Sequence, residues 1–420
     1  MLRTYYADLH IHIGRTEKGA AVKISGARNL TFYNIAREAS DRKGIEIVGI
    51  IDCHSPAVQE EIEHYLAAGE MKELDGGGIR YHQTTVLLGS EIEVRDPGMG
   101  PVHLLVFLPK LAQMKEFTEW MRPRMKNVEL SSQRMYVTAR ELQAEVLRRG
   151  GILIPAHIFT PHKSIYGSGS TRMEHMLDLD GLAGVELGLS SDSEMAGYLP
   201  ELDRYTYVTN SDAHSLGKIG REYNELRLAE PTFAELLLAL RREGGRAVTA
   251  NYGLNPRLGK YHRTYCLSCE SILDESEAAV GRCLYCGSPK VVRGVMDRIM
   301  ELAGREEPFV PDYRPPYYYQ VPLEFIPGLG KRKLDGLLAR FGTEMNILHR
   351  ATREELAETV GDDIAGMILE ARTGVLGLQV GGGGTYGKVK APEKATSKAE
   401  QADKGTKPTD KGTKGTRAKR

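Results

Sequence analysis

The sequence is short of the residues that staple small secreted folds and of those that cross bilayers. Five cysteines in 420 residues are too few for a disulfide scaffold. No apolar run approaches the roughly 18–20 residues of a membrane helix. Met1–Tyr6 lacks the charged flank and apolar stretch of a secretory signal. A cytoplasmic chain with no membrane partner is therefore expected. Net charge is missing too: 56 Lys and Arg face 56 Asp and Glu, which taken whole argues against a polyanionic partner. That zero is a cancellation, because residues 381–420 carry 11 basic and 4 acidic side chains and the first 380 are acidic by seven. With 41% hydrophobic and 27% charged residues, the chain is neither wholly disordered nor fibrous. Its length suits two to three domains.

Through residue 250, short β-rich runs alternate with helical stretches. Strands are predicted at Tyr5–Leu9, Ile47–Ile51, Thr84–Gly89, Val102–Leu108, Gly151–Pro155, Gly184–Gly188 and Tyr205–Thr209. Helices are predicted at Asn29–Arg42, Pro56–Ala68, Thr138–Arg149 and Thr232–Arg242, with a helical insertion at Leu111–Ser132. Seven strands alternating with helices read as an α/β barrel or a doubly wound sheet. A cysteine-bearing module follows over 251–300, then a helical region over 301–380 that opens on a proline-rich linker, Pro308–Pro316. Residues 381–420, rich in Lys, Thr and Gly, cannot bury enough apolar surface to order themselves and read as a disordered basic tail.

Polar residues collect at the strand ends: Asp8-Leu9-His10-Ile11-His12, Asp52-Cys53-His54, Ser90-Glu91, Ala156-His157 and Ser211-Asp212-Ala213-His214. His103 stands at the start of a fourth apolar run. In an extended chain i and i+2 project together, so His10 pairs with His12, Asp52 with His54 and Asp212 with His214. Barrel strand ends converge on one mouth, which would gather these groups into a multinuclear metal site. Imidazole-rich ligation favours Zn, Mn or Fe over Mg, and Glu91 could bridge two ions. Glu186 could reach the mouth or serve as a salt-bridged wall residue. His64, His82, His175, His262 and His349 read as solvated or hydrogen-bonded histidines, and Cys53 as a small buried residue.

Cys266-x-x-Cys269 and Cys283-x-x-Cys286, thirteen residues apart, read as one structural zinc site of four thiolates. Farther on, Pro327-Gly328-Leu329-Gly330-Lys331-Arg332-Lys333 precedes a helical run and resembles a helix-hairpin-helix turn. Backbone N–H groups at Gly328 and Gly330 and the charges of Lys331, Arg332 and Lys333 suit a DNA phosphate. A degraded second copy, Glu354–Arg372, has an acidic turn and reads as packing. The polar loop Thr160–Ser170, which follows His157, reads either as a substrate-contacting segment or as plain surface. Tyr166 and Tyr317–Tyr319 could stack on a base, or in the case of the Tyr cluster pack domains together.

The strand-end motifs resemble those of the polymerase-and-histidinol-phosphatase (PHP) metallohydrolase superfamily. That resemblance implies a seven-stranded β/α barrel with two or three divalent metals, Zn, Mn or Mg. It implies one metal on His10, His12, Glu91 and Asp212, a second shared by Glu91 with His103 and His157, and a third faced by His54 and His214. Two departures bear on the third site: Cys53 splits the adjacent Asp-His of the superfamily pattern, and Lys18 stands where many members supply a further histidine. Extended through the cysteines and the glycine turn, the pattern resembles the endonuclease Q family of DNA repair nucleases, to which the split Asp52-Cys53-His54 and Thr160-Pro161-His162-Lys163-Ser164 belong. The resemblance implies a metal-dependent endonuclease that cleaves the phosphodiester 5′ to deaminated bases (uracil, hypoxanthine, xanthine) and abasic sites. Asp212, His214, Glu91 and His54 are then the candidate catalytic residues, with His162 and Lys163 added to the DNA contacts. DNA containing such lesions is the expected partner, with replication or repair proteins as further candidates. The alternatives are a histidinol-phosphatase-like small-molecule enzyme and a zinc-ribbon DNA-binding adaptor with an inactive barrel.

Overall fold

The computed structural model describes residues 1–259, 261–273 and 282–374, with the backbones of two short paired strands, Leu378–Gln379 and Lys388–Val389. The rest of the basic stretch 381–420 lies outside the described residues. The first strand, β1 (Arg3–Ile11), has Ala7 and Leu9 on one side and Asp8 and His10 on the other, all buried. It pairs in parallel with β2 (Ile47–Ile50), an Ile-Val-Gly-Ile run buried on both faces, as parallel strands between layers require. Gly49 is needed there, since a Cβ would meet the Leu9 carbonyl oxygen at 2.3 Å. A small hairpin, β3 (Lys72–Glu73) and β4 (Ile79–Tyr81), leads into the long β5 (Thr84–Val94), which is parallel to β2.

Next in the chain come β6 (Val102–Leu108) and β7 (Ile152–Pro155), then a separate parallel pair, β8 (Gly184–Glu186) and β9 (Thr206–Val208). All seven predicted strands are present. Their directions are mixed, however: β6 runs antiparallel to both β5 and β7. The connection from Val94 to Val102 is too short for a parallel crossover, which takes a dozen residues or more, so a hairpin is the only closure. Backbone bonds from Ile158 N–H to Glu186 O, and from His12 N–H to Ala213 O, link β7 to β8 and the end of β1 to the segment after β9.

Further strands fall where the sequence reading placed none. β10 (Tyr223–Leu228) and β11 (Ala247–Gly253) extend the sheet beyond β1, both antiparallel. After a two-stranded module, β12 (Tyr265–Cys266) with β13 (Val291–Val292), the chain returns and lays β14 (Tyr317–Tyr319) in parallel on β11. The boundary expected at residue 250 thus falls inside β11. Pro308–Pro316 is docked rather than a free spacer: buried Arg314 stacks over the Tyr207 ring at 3.3 Å and donates to the Leu202 and Asp203 carbonyls.

Helices Pro56–Ala67, Leu111–Met121, Ala139–Arg148 and Phe233–Arg241 cover the strands close to the expected ranges. Thr138 and Thr232 are their N-caps, each accepting from a backbone N–H three residues on. The first predicted helix is shorter, Phe32–Arg37, and continues as a π-turn through Lys43. Four helices, Lys331–Phe341, Glu344–His349, Arg353–Val360 and Asp362–Thr373, form the C-terminal segment. It docks through Lys43, which donates to Glu344 at 2.9 Å, and through His349, whose Nε2 is hydrogen-bonded with the Tyr223 hydroxyl at 2.6 Å and whose ring stacks on Tyr6. Among the described residues, no helix is long and apolar enough to cross a membrane.

Candidate active site

The strand ends do converge. Two groups of three ligand atoms form at one mouth, His10 with His12 and Asp212, and Glu91 with His103 and His157. Glu91 joins them: Oε1 lies 3.5 Å from His10 Nε2, 2.7 Å from His103 Nδ1 and 3.4 Å from His157 Nε2, while Oε2 lies 3.6 Å from His12 Nε2. Asp212 Oδ1 sits 3.5 and 3.6 Å from the Nε2 atoms of His10 and His12. The antiparallel turn of β6 explains His103, since the start of that strand lies beside the end of β5. His103 is paired with Glu93 in the ladder.

Three of the candidate imidazole ligands, His10, His12 and His157, are held from behind. Asp52, fully buried, accepts from His12 Nδ1 at 3.1 Å and from the Ile13 N–H at 2.7 Å, leaving His12 Nε2 to face the mouth. Glu186 lies 3.0 Å from His10 Nδ1 and accepts the His157 backbone N–H at 2.8 Å, so one carboxylate braces a member of each group. The Thr160 hydroxyl meets His157 Nδ1 at 3.0 Å. Such outer partners orient imidazoles toward a metal and raise their basicity. Backbone strain gathers here as well. Of seven non-glycine residues with positive φ among those described, His157 (30°) and Asp212 (45°) are candidate ligands, and Ser132 and Lys163 stand beside the site. Gly188 is required opposite His157, whose Cβ would lie 2.7 Å from any added side chain.

The donor set suits cations rather than a plain acid–base pair. His10 Nε2 and both ring nitrogens of His103 are buried without a hydrogen-bond partner; the 2.7 Å approach of Glu91 to His103 lacks hydrogen-bond geometry. Orphaned imidazole nitrogens beside carboxylates are what a bound metal would satisfy. Burial disfavours the Glu91 carboxylate, but His103, His10 and His157 outweigh it and hold its pKa well below the usual range. At His10 burial opposes the cation, yet Glu186 and Asp212 push the pKa well up. Burial lowers those of His103 and His214.

The ligands face a cavity of about 390 Å³, also lined by Pro161, His162, Lys163 and Arg221. Only the start of the polar loop reaches it. Ser164, Ile165 and Tyr166 are buried, and the Tyr166 hydroxyl donates to Glu201, which removes Tyr166 as a base-stacking residue. Tyr317–Tyr319 form β14, with Tyr319 donating to Asp192, while Tyr318 stacks on Tyr252 and stays exposed. His214 lies at the cavity, with its ring 4.6 Å from that of His12. His54 does not join either group: Ser90 Oγ donates to its Nδ1 at 2.8 Å and its Nε2 donates to the Leu130 carbonyl at 3.3 Å. With both nitrogens taken, it braces the 130–132 segment over the site. Lys18 is exposed beside Glu60. A cation that sequence reasoning missed, Lys23, enters the cavity instead, 3.5 Å from Glu91 Oε2 and 2.6 Å from Ser132 Oγ.

The four cysteines also meet. Cys266 and Cys286 Sγ are 3.6 Å apart, and Cys269 and Cys283 Sγ 3.5 Å apart. A tetrahedron with Zn–S bonds of about 2.3 Å has edges near 3.8 Å, so the residues fit one zinc. Ser271, through its side chain and backbone, lowers the Cys269 pKa to about 6, favouring the thiolate a metal needs. In the C-terminal segment, Gly328 has φ +79° and Gly330 caps the helix Lys331–Phe341. Lys331, Arg332 and Lys333 stand exposed on its first turn, while Leu329 and Leu334 are buried.

Imidazoles and carboxylates joined by one glutamate at the mouth of a mixed α/β sheet define a metal-dependent hydrolase of the PHP type. Residues 203–243 match the PHP-associated family. The crystal structure of the lesion-specific endonuclease PfuEndoQ from Pyrococcus furiosus superposes with a TM-score of 0.80 at 32% identity, over 93% of this chain and 96% of that one. A structure of endonuclease Q with a 27-mer duplex substrate carrying an abasic lesion at the active site gives 0.80 at 31% identity, over 96% and 100%. The uncharacterized protein YqxK of Bacillus subtilis (strain 168) is 52% identical over 391 residues, 93% of this chain and 100% of that one. The chain belongs to the endonuclease Q family of nucleases.

Proposed function

We propose that the chain is a DNA repair endonuclease that cuts the phosphodiester on the 5′ side of deaminated bases (uracil, hypoxanthine and xanthine) and of abasic sites. The observation that carries the reading is Glu91, set between two ligand triplets in a chain that matches a lesion-specific endonuclease over nearly its full length. In this reading His10, His12, Glu91 and Asp212 hold one divalent cation and Glu91, His103 and His157 a second. Bound cations supply a nucleophilic water of lowered pKa and charge for the leaving oxygen. Asp52 and Glu186 fix the tautomers of His12 and His10, and Asp212 and His214 face the water and the phosphate. His54 acts through the backbone of Leu130 rather than on substrate. The seven strands read as one barrel and Phe325–Phe341 as the helix-hairpin-helix that grips phosphate through Gly328, Gly330 and Lys331–Lys333. His162 and Lys163 contact the strand at the cavity rim, and Cys266, Cys269, Cys283 and Cys286 hold a structural zinc.

Incubating the protein with duplexes carrying one uracil, hypoxanthine or abasic site, with Mg2+, Mn2+ or Zn2+ and with chelator, tests this. A single metal-dependent nick 5′ to the lesion is expected. Equal cutting of lesion-free duplex, or no cutting under any metal, would sink it.

A further inference from the structure

Arg221 has no role in the scheme above, yet two cavities meet at it. Among the described residues it is the one lining residue common to the cavity of the candidate metal ligands and to a groove of about 150 Å³ at the docked C-terminal segment. The other wall of that groove includes Pro322, Leu323 and Leu334, the last of them on the first turns of the helix that Gly330 caps. One end of the Arg221 path is therefore the ligand cluster, and the other is the wall of Pro322, Leu323 and Leu334, the last of them one residue on from the Gly328–Lys333 turn.

No carboxylate pairs with Arg221 directly among the described residues, although its charge favours the ionised form of buried Glu222 beside it. Arg42 and Lys43 on the same groove pair with Glu344 at 3.6 and 2.9 Å. Lys163 pairs with Glu93 at 2.9 Å and Lys23 with Glu91 at 3.5 Å. Arg221 has no carboxylate partner among the described residues; its Nε donates to the Ser211 carbonyl at 2.8 Å, beside Asp212. That bond fixes the plane of the guanidinium by one edge and leaves the terminal N–H groups to a ligand. A planar, pre-oriented fork of donors with no carboxylate paired to it suits a phosphodiester.

We propose that Arg221 grips the backbone phosphate next to the scissile one, on the strand as it passes from the metal site toward the Gly328–Lys333 turn. The inference rests on the reading of the chain as a DNA endonuclease and adds a positioning residue to it. The competing role is internal: Arg221 could merely brace the turn that carries Asp212.

Single-turnover cutting separates the two. Arg221→Gln is expected to slow cutting of a uracil duplex about tenfold or more, with Arg221→Lys recovering part of the loss. A duplex in which one uncharged methylphosphonate replaces a phosphate flanking the scissile bond should slow the wild type by a similar factor. On that duplex Arg221→Gln should lose no more than either change alone, because both remove the same contact. If the two losses multiply at every phosphate within three of the cut, or if Arg221→Gln cuts at the wild-type rate, the proposal is overturned. A wild type that leaves the unmodified duplex intact overturns the proposed function with it, so the two failures are told apart.

Discussion

In the proposed function the mouth of the sheet and the first turn of the helix Lys331–Phe341 both meet phosphate, and they are built in opposite ways. At the mouth His10, His12, Asp52 and Glu91 are at most 2% exposed, with His10 braced by Glu186, His12 and Asp52 by each other, and Glu91 by Ser132. At the helix turn Lys331, Arg332 and Lys333 are exposed, and no ion pair holds them among the described residues. Buried donors cannot reorganise, so they fix geometry; exposed cations supply attraction that salt screens. Chemistry and grip are therefore expected to fail separately.

Breaking the mouth should have the largest effect. Asp212→Ala removes a ligand and is expected to reduce cutting to background while leaving lesion-duplex affinity, read by fluorescence anisotropy, within a few-fold of the wild type. Parallel loss of binding would contradict the division. Removing a brace should cost less: Asp52→Asn or Glu186→Gln is expected to lower metal affinity or activity by about 10–100-fold, measured by metal titration of cutting. Neutralising Lys331, Arg332 and Lys333 together to Gln should leave the single-turnover rate at saturating enzyme unchanged. It should weaken binding and reduce the slope of log affinity against log salt by up to about three.

The smallest expected effect on cutting sharpens the same contrast through pH. Glu222 is fully buried, and burial raises its pKa to about 7, even though Thr209 and the Leu254 N–H favour its charged form. A carboxyl whose folded pKa lies above its unfolded value is stabilising below about pH 4.5, and that contribution is lost as pH rises through about 7. The difference is on the order of 3 kcal/mol. Glu222→Gln should therefore raise the melting temperature at pH 8 relative to the wild type and leave it little changed at pH 4, by calorimetry at both values. The helix turn has no buried acid and should add no such dependence.

Much of the mouth was legible because an i, i+2 histidine pair at the end of an apolar run says both which side it faces and which end of the sheet it occupies. His10 and His12 followed from that rule, Asp212 from the same spacing to His214, and Glu91 from its place at a strand end. Direction was less legible. An apolar run such as Val102–Leu108 looks the same in either sense, and only the short connection before it settles that β6 is antiparallel. His54 misled because side-chain parity says where a ring points, not what already occupies its nitrogens; Ser90 and Leu130 are remote in sequence. Lys23 carried no pattern at all, since it reaches the site from a loop. The Tyr317–Tyr319 run reads either as base-stacking or as domain-packing; its place beside β11 is not legible without that strand, for which the alternation in Ala247–Gly253 was the available signal.

The pairing of β14 with β11 also constrains how the chain comes into being. The sheet that carries the candidate metal ligands is completed only by residues 317–319, after the excursion through the cysteine module. During synthesis β11 must wait for about seventy more residues with one backbone edge unpaired, and such an edge invites pairing with a second nascent chain. A truncation at the end of the helix–strand pattern near residue 250 would keep every candidate barrel ligand and leave that edge open for good. Such a fragment is expected to aggregate rather than to act as a minimal enzyme.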